Sequence, residues 1–161
     1  MSTILATTAE HSDFATKWGD ALANGFVGVP MLLLKNQKRL QINDGELVVL
    51  LNILGAWWVE ERLPFPGART LAARMGVTLR TVHRNLAALE ERKLIRRVRD
   101  TAVQAGSDKA ITKYDPSGLV AELRKLADEQ YPERVKSQRQ NPQGGVAPPQ
   151  RPRTGYAYST R

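Results

Sequence analysis

The 161-residue chain has no cysteine, which excludes a disulfide framework and any thiolate metal site and gives no argument for secretion. Histidine is nearly as scarce: His11 and His83 are far apart in the chain, and no carboxylate stands three or four residues from His83. Neither a metal set nor a catalytic pair can be read there. A Gly-rich phosphate loop ending in Gly-Lys-Ser/Thr and a His-Glu-x-x-His helix are also missing. The adjacent carboxylates Glu60/Glu61 and Glu90/Glu91 diverge on helices and read as surface charges. The expectation is a protein without enzymatic activity, metal or cofactor, and with no small-molecule ligand evident. Long apolar runs are lacking too. The richest, "LVVLLNILGAWWV" at 47–59, falls short of the ~20 residues a bilayer requires, and the N-terminus has no basic region leading into an apolar one. No membrane partner is expected, and the cytoplasm is the expected location, in association with the nucleoid or a plasmid.

Positive charge is plentiful and unevenly placed. The net charge is +8, yet residues 1–66 carry five Lys/Arg against seven Asp/Glu and residues 100–130 four against six. Residues 67–99 carry nine against two, and 131–161 six against one. Basic charge gathered into a short segment is the footprint of a polyanion binder, because each phosphate contact releases counterions.

Hydrophobic content of 42% suffices for a core, and patterning places it. Residues 1–24 read as a mobile arm with a short helix around 14–22, residues 25–130 as one folded domain, and residues 131–161 as a disordered basic tail rich in Pro, Gln and Gly. "FVGVPMLLLKNQKRLQI" at 26–42 reads as an extended or strand-like lead-in and a basic turn. Asn43 with Glu46 forms a capping box opening a helix over 44–61. Leu47, Leu50, Leu51, Leu54 and Trp58 form the stripe expected to pack on the domain, leaving Val49, Ile53, Ala56 and Trp57 on a second stripe. That second stripe must be covered from within the chain or by a second copy, and a homodimer is the expectation.

Pro66-Gly67 opens a short helix with Leu71, Ala72 and Met75 on one side and Arg69 and Arg74 on the other, ending at Gly76. Thr78 caps a third helix over 79–92 whose stripe is Val82, Leu86 and Leu89. "KLIRRVR" and "AITKY", joined by "DTAVQAGSDK", read as a β-hairpin. Asp115-Pro116 then starts a helix with Leu119, Leu123 and Leu126 in line. The order is that of a winged helix-turn-helix: mainly α, with a small β-hairpin wing.

"PFPG", "TLAARMGVTLRTVHRNLAALEERKLIRR" and "ITKYDPSGL" carry a resemblance. Residues 26–120 resemble the winged helix-turn-helix family found in plasmid and phage replication initiators and small transcriptional regulators of mobile elements. Gly67 stands where such domains usually place a Ser or Thr cap. Lys93 stands where they usually place the glycine that ends the recognition helix, which puts a non-glycine residue in a left-handed conformation.

With the Val82, Leu86, Leu89 stripe turned inward, Arg80, Thr81, His83, Arg84 and Ala87 face outward near the turn, at the end that enters the major groove in this motif. Arg80 and Arg84 can fork onto a guanine edge or a phosphate, His83 can donate to either, and Ala87 allows close approach or touches a thymine methyl. Thr78 and Thr81 suit phosphate oxygens at the helix N-terminus, and Arg69 of the preceding helix joins the set. On the wing, Arg97 and Arg99 share one strand face, Lys109 stands at the tip and Arg96 points the other way. The expected function is sequence-specific binding of double-stranded DNA through helix 79–92, as a transcriptional regulator of a bacterial, plasmid or phage operon. The alternatives are a replication-initiation or partition accessory of a mobile element, or a winged-helix protein-interaction module.

Overall fold

Pro30, extended at φ −60° and ψ 132°, hands the chain into α1 (Met31–Lys35). The computed structural model describes residues 16–57, 61–100 and 111–141. After a 3-10 segment, Gly19–Asn24, and α1 come α2 (Asp44–Gly55), α3 (Ala68–Met75), α4 (Leu79–Glu91), β1 (Arg96–Asp100), β2 (Ile111–Asp115), α5 (Ser117–Gln130) and α6 (Pro132–Gln140). Asp20–Gln130 form one compact unit, to which residues 16–19 and 131–141 do not belong.

The helix-turn-helix forms as its local signals dictate. Gly76 takes the left-handed conformation, φ 64°, that ends α3 in a sharp turn. Thr78 then accepts a hydrogen bond from the Thr81 amide and starts α4. Val82, Leu86 and Leu89 are buried, as are Leu71 and Ala72 facing them, each large side chain contributing about 1.5–3 kcal/mol relative to exposure. Arg92 is the C-cap of α4, and Lys93 follows at φ 57°, the left-handed position the family resemblance implied. The two strands pair antiparallel, with Arg97 opposite Tyr114 and Arg99 opposite Thr112. The Tyr114 amide donates to the Pro64 carbonyl at 2.8 Å, tying the wing to the segment ahead of α3. Helices around a two-stranded wing make this a mainly α winged helix-turn-helix.

The ends of the domain close on each other. Leu119, Leu123 and Leu126 are buried in the same core, so this stripe serves the domain's own interior. Asn36 and Gln130 exchange side-chain hydrogen bonds, and Arg39 meets Glu129 in two N–H···O bonds, which seats the C-terminal end of α5 on the turn after α1.

Four expectations need correction. Residues 31–35 form a helix where a strand-like lead-in was expected. Met-Leu-Leu-Leu-Lys contains no β-branched residue, and one helical turn buries Leu33 completely. α2 ends at Gly55, short of 61, where the lead-in approaches so closely that a Cβ on Gly55 would lie 2.9 Å from Val27 Cγ2. The buried side of α2 is Glu46, Val49, Leu50 and Ile53, whereas Leu47, Leu51 and Leu54 are half-buried. Val49 and Ile53 of the supposed second stripe therefore supply the core together with Leu50 of the first, Ala56 is exposed, and Trp58 lies outside the described residues. Finally, the tail expected to be disordered begins with α6, which has Pro132 in its first turn and a Glu133–Lys136 pair at 3.0 Å but buries nothing. Residues 1–15 of the expected arm and 142–161 of the tail lie outside the described residues.

Candidate nucleic-acid interface

The outward face of α4 is set by what its inward face must bury. With Val82, Leu86 and Leu89 fixed inside, helical spacing leaves Arg80, His83, Arg84 and Ala87 exposed and Thr81 half-buried. Arg80 and Arg84 are one turn apart and so share a face. Arg69 and Arg74 of α3 are exposed as well. Thr78 is committed partly to structure, since its hydroxyl caps the Thr81 amide and lies 2.9 Å from the Thr81 hydroxyl; the two oxygens stand together at the N-terminus of α4, beside the helix's positive end.

The basic residues divide into two populations. Arg96 pairs with Asp115 at 2.8 Å and Lys113 with Asp100 at 2.5 Å. Arg97 is locked to Glu90: its amide and its Nε donate to the carboxylate at 3.0 and 2.6 Å, and the guanidinium closes an ion pair on it. The hydrogen bond from the Arg97 side chain, together with its charge, holds the Glu90 carboxyl below its ordinary value despite partial burial. In contrast, Arg69, Arg74, Arg80, Arg84 and Arg99 have no hydrogen bond or ion pair among the described residues. A guanidinium without an acidic partner keeps its donors for an outside anion. These five lie on α3, α4 and β1; Arg62, ahead of α3, and Arg124, on α5, are unpaired as well among the described residues.

Of the nine site residues expected from sequence, Arg69, Thr78, Arg80, Thr81, His83 and Arg84 come together on the helix-turn-helix. Arg99 joins them from the wing, and its strand face is shared with Arg97 and opposite that of Arg96, as the alternation required. Arg97 differs in being held by Glu90, a residue read from the sequence as a plain surface charge. The pair is only seven residues apart, but it depends on the angle at which β1 leaves the turn after α4, which residue spacing does not encode. Lys109 lies outside the described residues.

One feature the sequence reading passed over is Phe65. It is 53% exposed, between a fully buried Pro64 and a half-buried Pro66, on the rim of an open groove lined also by Gly67, His83, Arg97, Arg99 and Thr112. The available signal was an aromatic residue held between two prolines and directly before the motif. At the groove wall, burial pushes the Tyr114 hydroxyl above its ordinary value.

Among the described residues no helix is long and apolar enough to cross a membrane, and no group of three or more His, Asp or Glu could hold a metal ion.

The DnaD N-terminal domain family matches residues 29–131, the span from the entrance of α1 to the end of α5. Among solved structures, the N-terminal domain of the DnaD protein from Geobacillus kaustophilus HTA426 is similar at 28% identity and a TM-score of 0.50, over 75% of this chain and 96% of that one. The S. aureus MepR–DNA complex aligns at 16% identity and a TM-score of 0.38, over 69% of this chain and 84% of that one. No curated protein matches the sequence.

Proposed function

We propose that this chain, which belongs to the DnaD N-terminal domain family, binds double-stranded DNA by laying the N-terminal half of α4 in the major groove, with α3 and the wing on the flanking backbone. The observation that carries the proposal is the set of five arginines without acidic partners, Arg69, Arg74, Arg80, Arg84 and Arg99, on the elements that approach DNA in this motif. A protein-docking module would leave those arginines without a role. The protein acts by occupying a site and carries out no chemistry of its own, in the cytoplasm and on the nucleoid or a plasmid.

Arg80→Ala and Arg84→Ala are each expected to weaken binding to the specific site by about 1–3 kcal/mol while leaving the melting temperature unchanged, because neither side chain contacts the core. Gel shifts and thermal melts on the same preparations check this. Unaltered affinity in the double variant would remove α4 as the reading element.

Two roles are compatible with such a module: regulation of transcription, and an accessory part in replication. Family membership supports the second as well as the first. Mapping binding sites across the host genome separates them, since sites gathered at an origin favour replication and sites at promoters favour regulation.

The functional form is a homodimer, which sets two copies of α4 on half-sites about one DNA turn, ~34 Å, apart. Because Val49 and Ile53 are buried within one chain, the interface falls elsewhere. Phe26, Val27, Met31, Leu34 and Val48 are the exposed apolar side chains of the lead-in, α1 and α2, and association would remove them from water. Sedimentation at micromolar concentration is expected to give twice the 17.9 kDa chain mass, and Met31→Glu to return it to monomer. A monomer in the unaltered protein, free and on DNA, would overturn the dimer.

A further inference from the structure

Phe65 is in an unusual setting for an exposed aromatic. Burying it would be favourable by the same scale as any core phenylalanine, yet it stands more than half in solvent. The chain holds it there. Pro64 is fully buried and its carbonyl accepts the Tyr114 amide at 2.8 Å, while Pro66 leads directly into the cap of α3. Two proline rings fix φ on either side, so little backbone freedom remains to be lost when the ring meets a ligand.

The groove beside the ring is basic on its far wall. Arg97 and Arg99 face it from β1 and His83 from α4, and none of the side chains lining it is acidic. Glu90 is already taken by Arg97 and Asp100 by Lys113, while Arg99 has no partner among the described residues. A flat apolar face opposite cations with spare donors matches the two halves of a nucleotide: the base stacks and the phosphate is neutralised. A fully paired duplex cannot use the ring in this way, because its bases are stacked on one another. We infer that the groove between Phe65 and β1 binds an unpaired nucleotide, the base on Phe65 and its phosphate on Arg99, so that the protein prefers a junction of duplex and single strand to a continuous duplex. The inference rests on the proposal that α4 holds the adjoining duplex.

The test compares two fluorescent DNAs, a blunt duplex and the same duplex extended by a single-stranded arm, by anisotropy with the full chain. The arm is expected to raise affinity about tenfold, within the range of one base–aromatic stack. Phe65→Ala is expected to abolish that ratio while leaving blunt-duplex affinity unchanged, and Phe65→Trp to keep it. In the arm, 2-aminopurine fluorescence is expected to change on binding the unaltered protein and not Phe65→Ala. The double variant Arg80→Ala/Arg84→Ala is expected to lose blunt-duplex affinity and retain the ratio. A ratio near one in the unaltered protein, or a ratio that survives Phe65→Ala, overturns the inference, and blunt-duplex binding measured alongside shows whether the α4 proposal stands without it. Capture of an apolar peptide in place of a base would show as Phe65-dependent peptide binding with no arm preference, which also overturns it.

Discussion

Gly118→Ala is expected to be the most damaging single methyl group that can be added to this domain. A Cβ at Gly118 would lie 1.9 Å from the Lys93 carbonyl oxygen, 3.0 Å from its carbon and 3.4 Å from the Leu94 oxygen. The obstruction is backbone, which cannot rotate aside. Nor can the turn retreat easily, because the amides of Lys93 and Leu94 donate to Glu90 and Leu89 carbonyls at 2.8 and 3.0 Å. Moving α5 instead would break the Leu119 amide bond to the Leu94 carbonyl, 2.8 Å, and lift Leu119 from the core. Overpacking alone costs about 1–3 kcal/mol, and an orphaned buried carbonyl adds a comparable amount, so a loss of about 3 kcal/mol or more is expected. Chemical denaturation of the full chain measures it. Gly67→Ala is the control: its Cβ meets only the Thr70 Oγ1, at 3.6 Å, and it should be nearly neutral. A change in Gly118→Ala below about 1 kcal/mol would mean that the Lys93 turn yields at little cost.

Removing Arg92 is expected to have an effect of the same order by a different mechanism. Glu46 is only 4% exposed. Its carboxylate accepts the Asn43 amide at 2.9 Å in the capping box and two bonds from Arg92, at 2.7 and 2.9 Å. The same guanidinium also donates to the carbonyls of Gln41 and Ala88. Gln41, at φ 54°, adopts a left-handed conformation where its carbonyl meets Arg92. Arg92 thus ties the C-terminal end of α4 to the N-terminal end of α2. Arg92→Met keeps the aliphatic stem and leaves a buried carboxylate with its main partner gone, for which about 3 kcal/mol is expected. Adding Glu46→Gln, which preserves an oxygen for the capping box, should recover much of that loss, since the uncompensated charge is removed with it. By comparison Arg39→Ala, which breaks a pair whose side chains are 53% and 57% exposed, should cost no more than about 1 kcal/mol. If Arg92→Met and Arg39→Ala prove equal, the buried pair is not what holds the two helices together.

Wherever the controlling interaction lies within a few residues, the sequence by itself determined the outcome. Asn43 and Glu46 close their capping box, Gly76 makes its left-handed turn, Thr78 caps α4, and Val82, Leu86 and Leu89 fall on one buried face, because each depends on helix geometry and on neighbours at most one turn away. The concentration of basic charge over 67–99 and the outward position of Arg80 and Arg84 follow from the same periodicity. Contacts across long stretches of chain were decided only by the tertiary structure. Whether residues 31–35 became strand or helix depended on a place for Leu33 in the core, and which side of α2 went inward depended on what packed against it. Arg92 could not be assigned to Glu46 from a separation of 46 residues, nor could Arg97 and Glu90, paired across the α4–β1 turn, be told apart from free surface charges. The position of Phe65 likewise required the wing to close over Pro64. Local rules state which groups need a partner; only the packed chain brings the partner within reach.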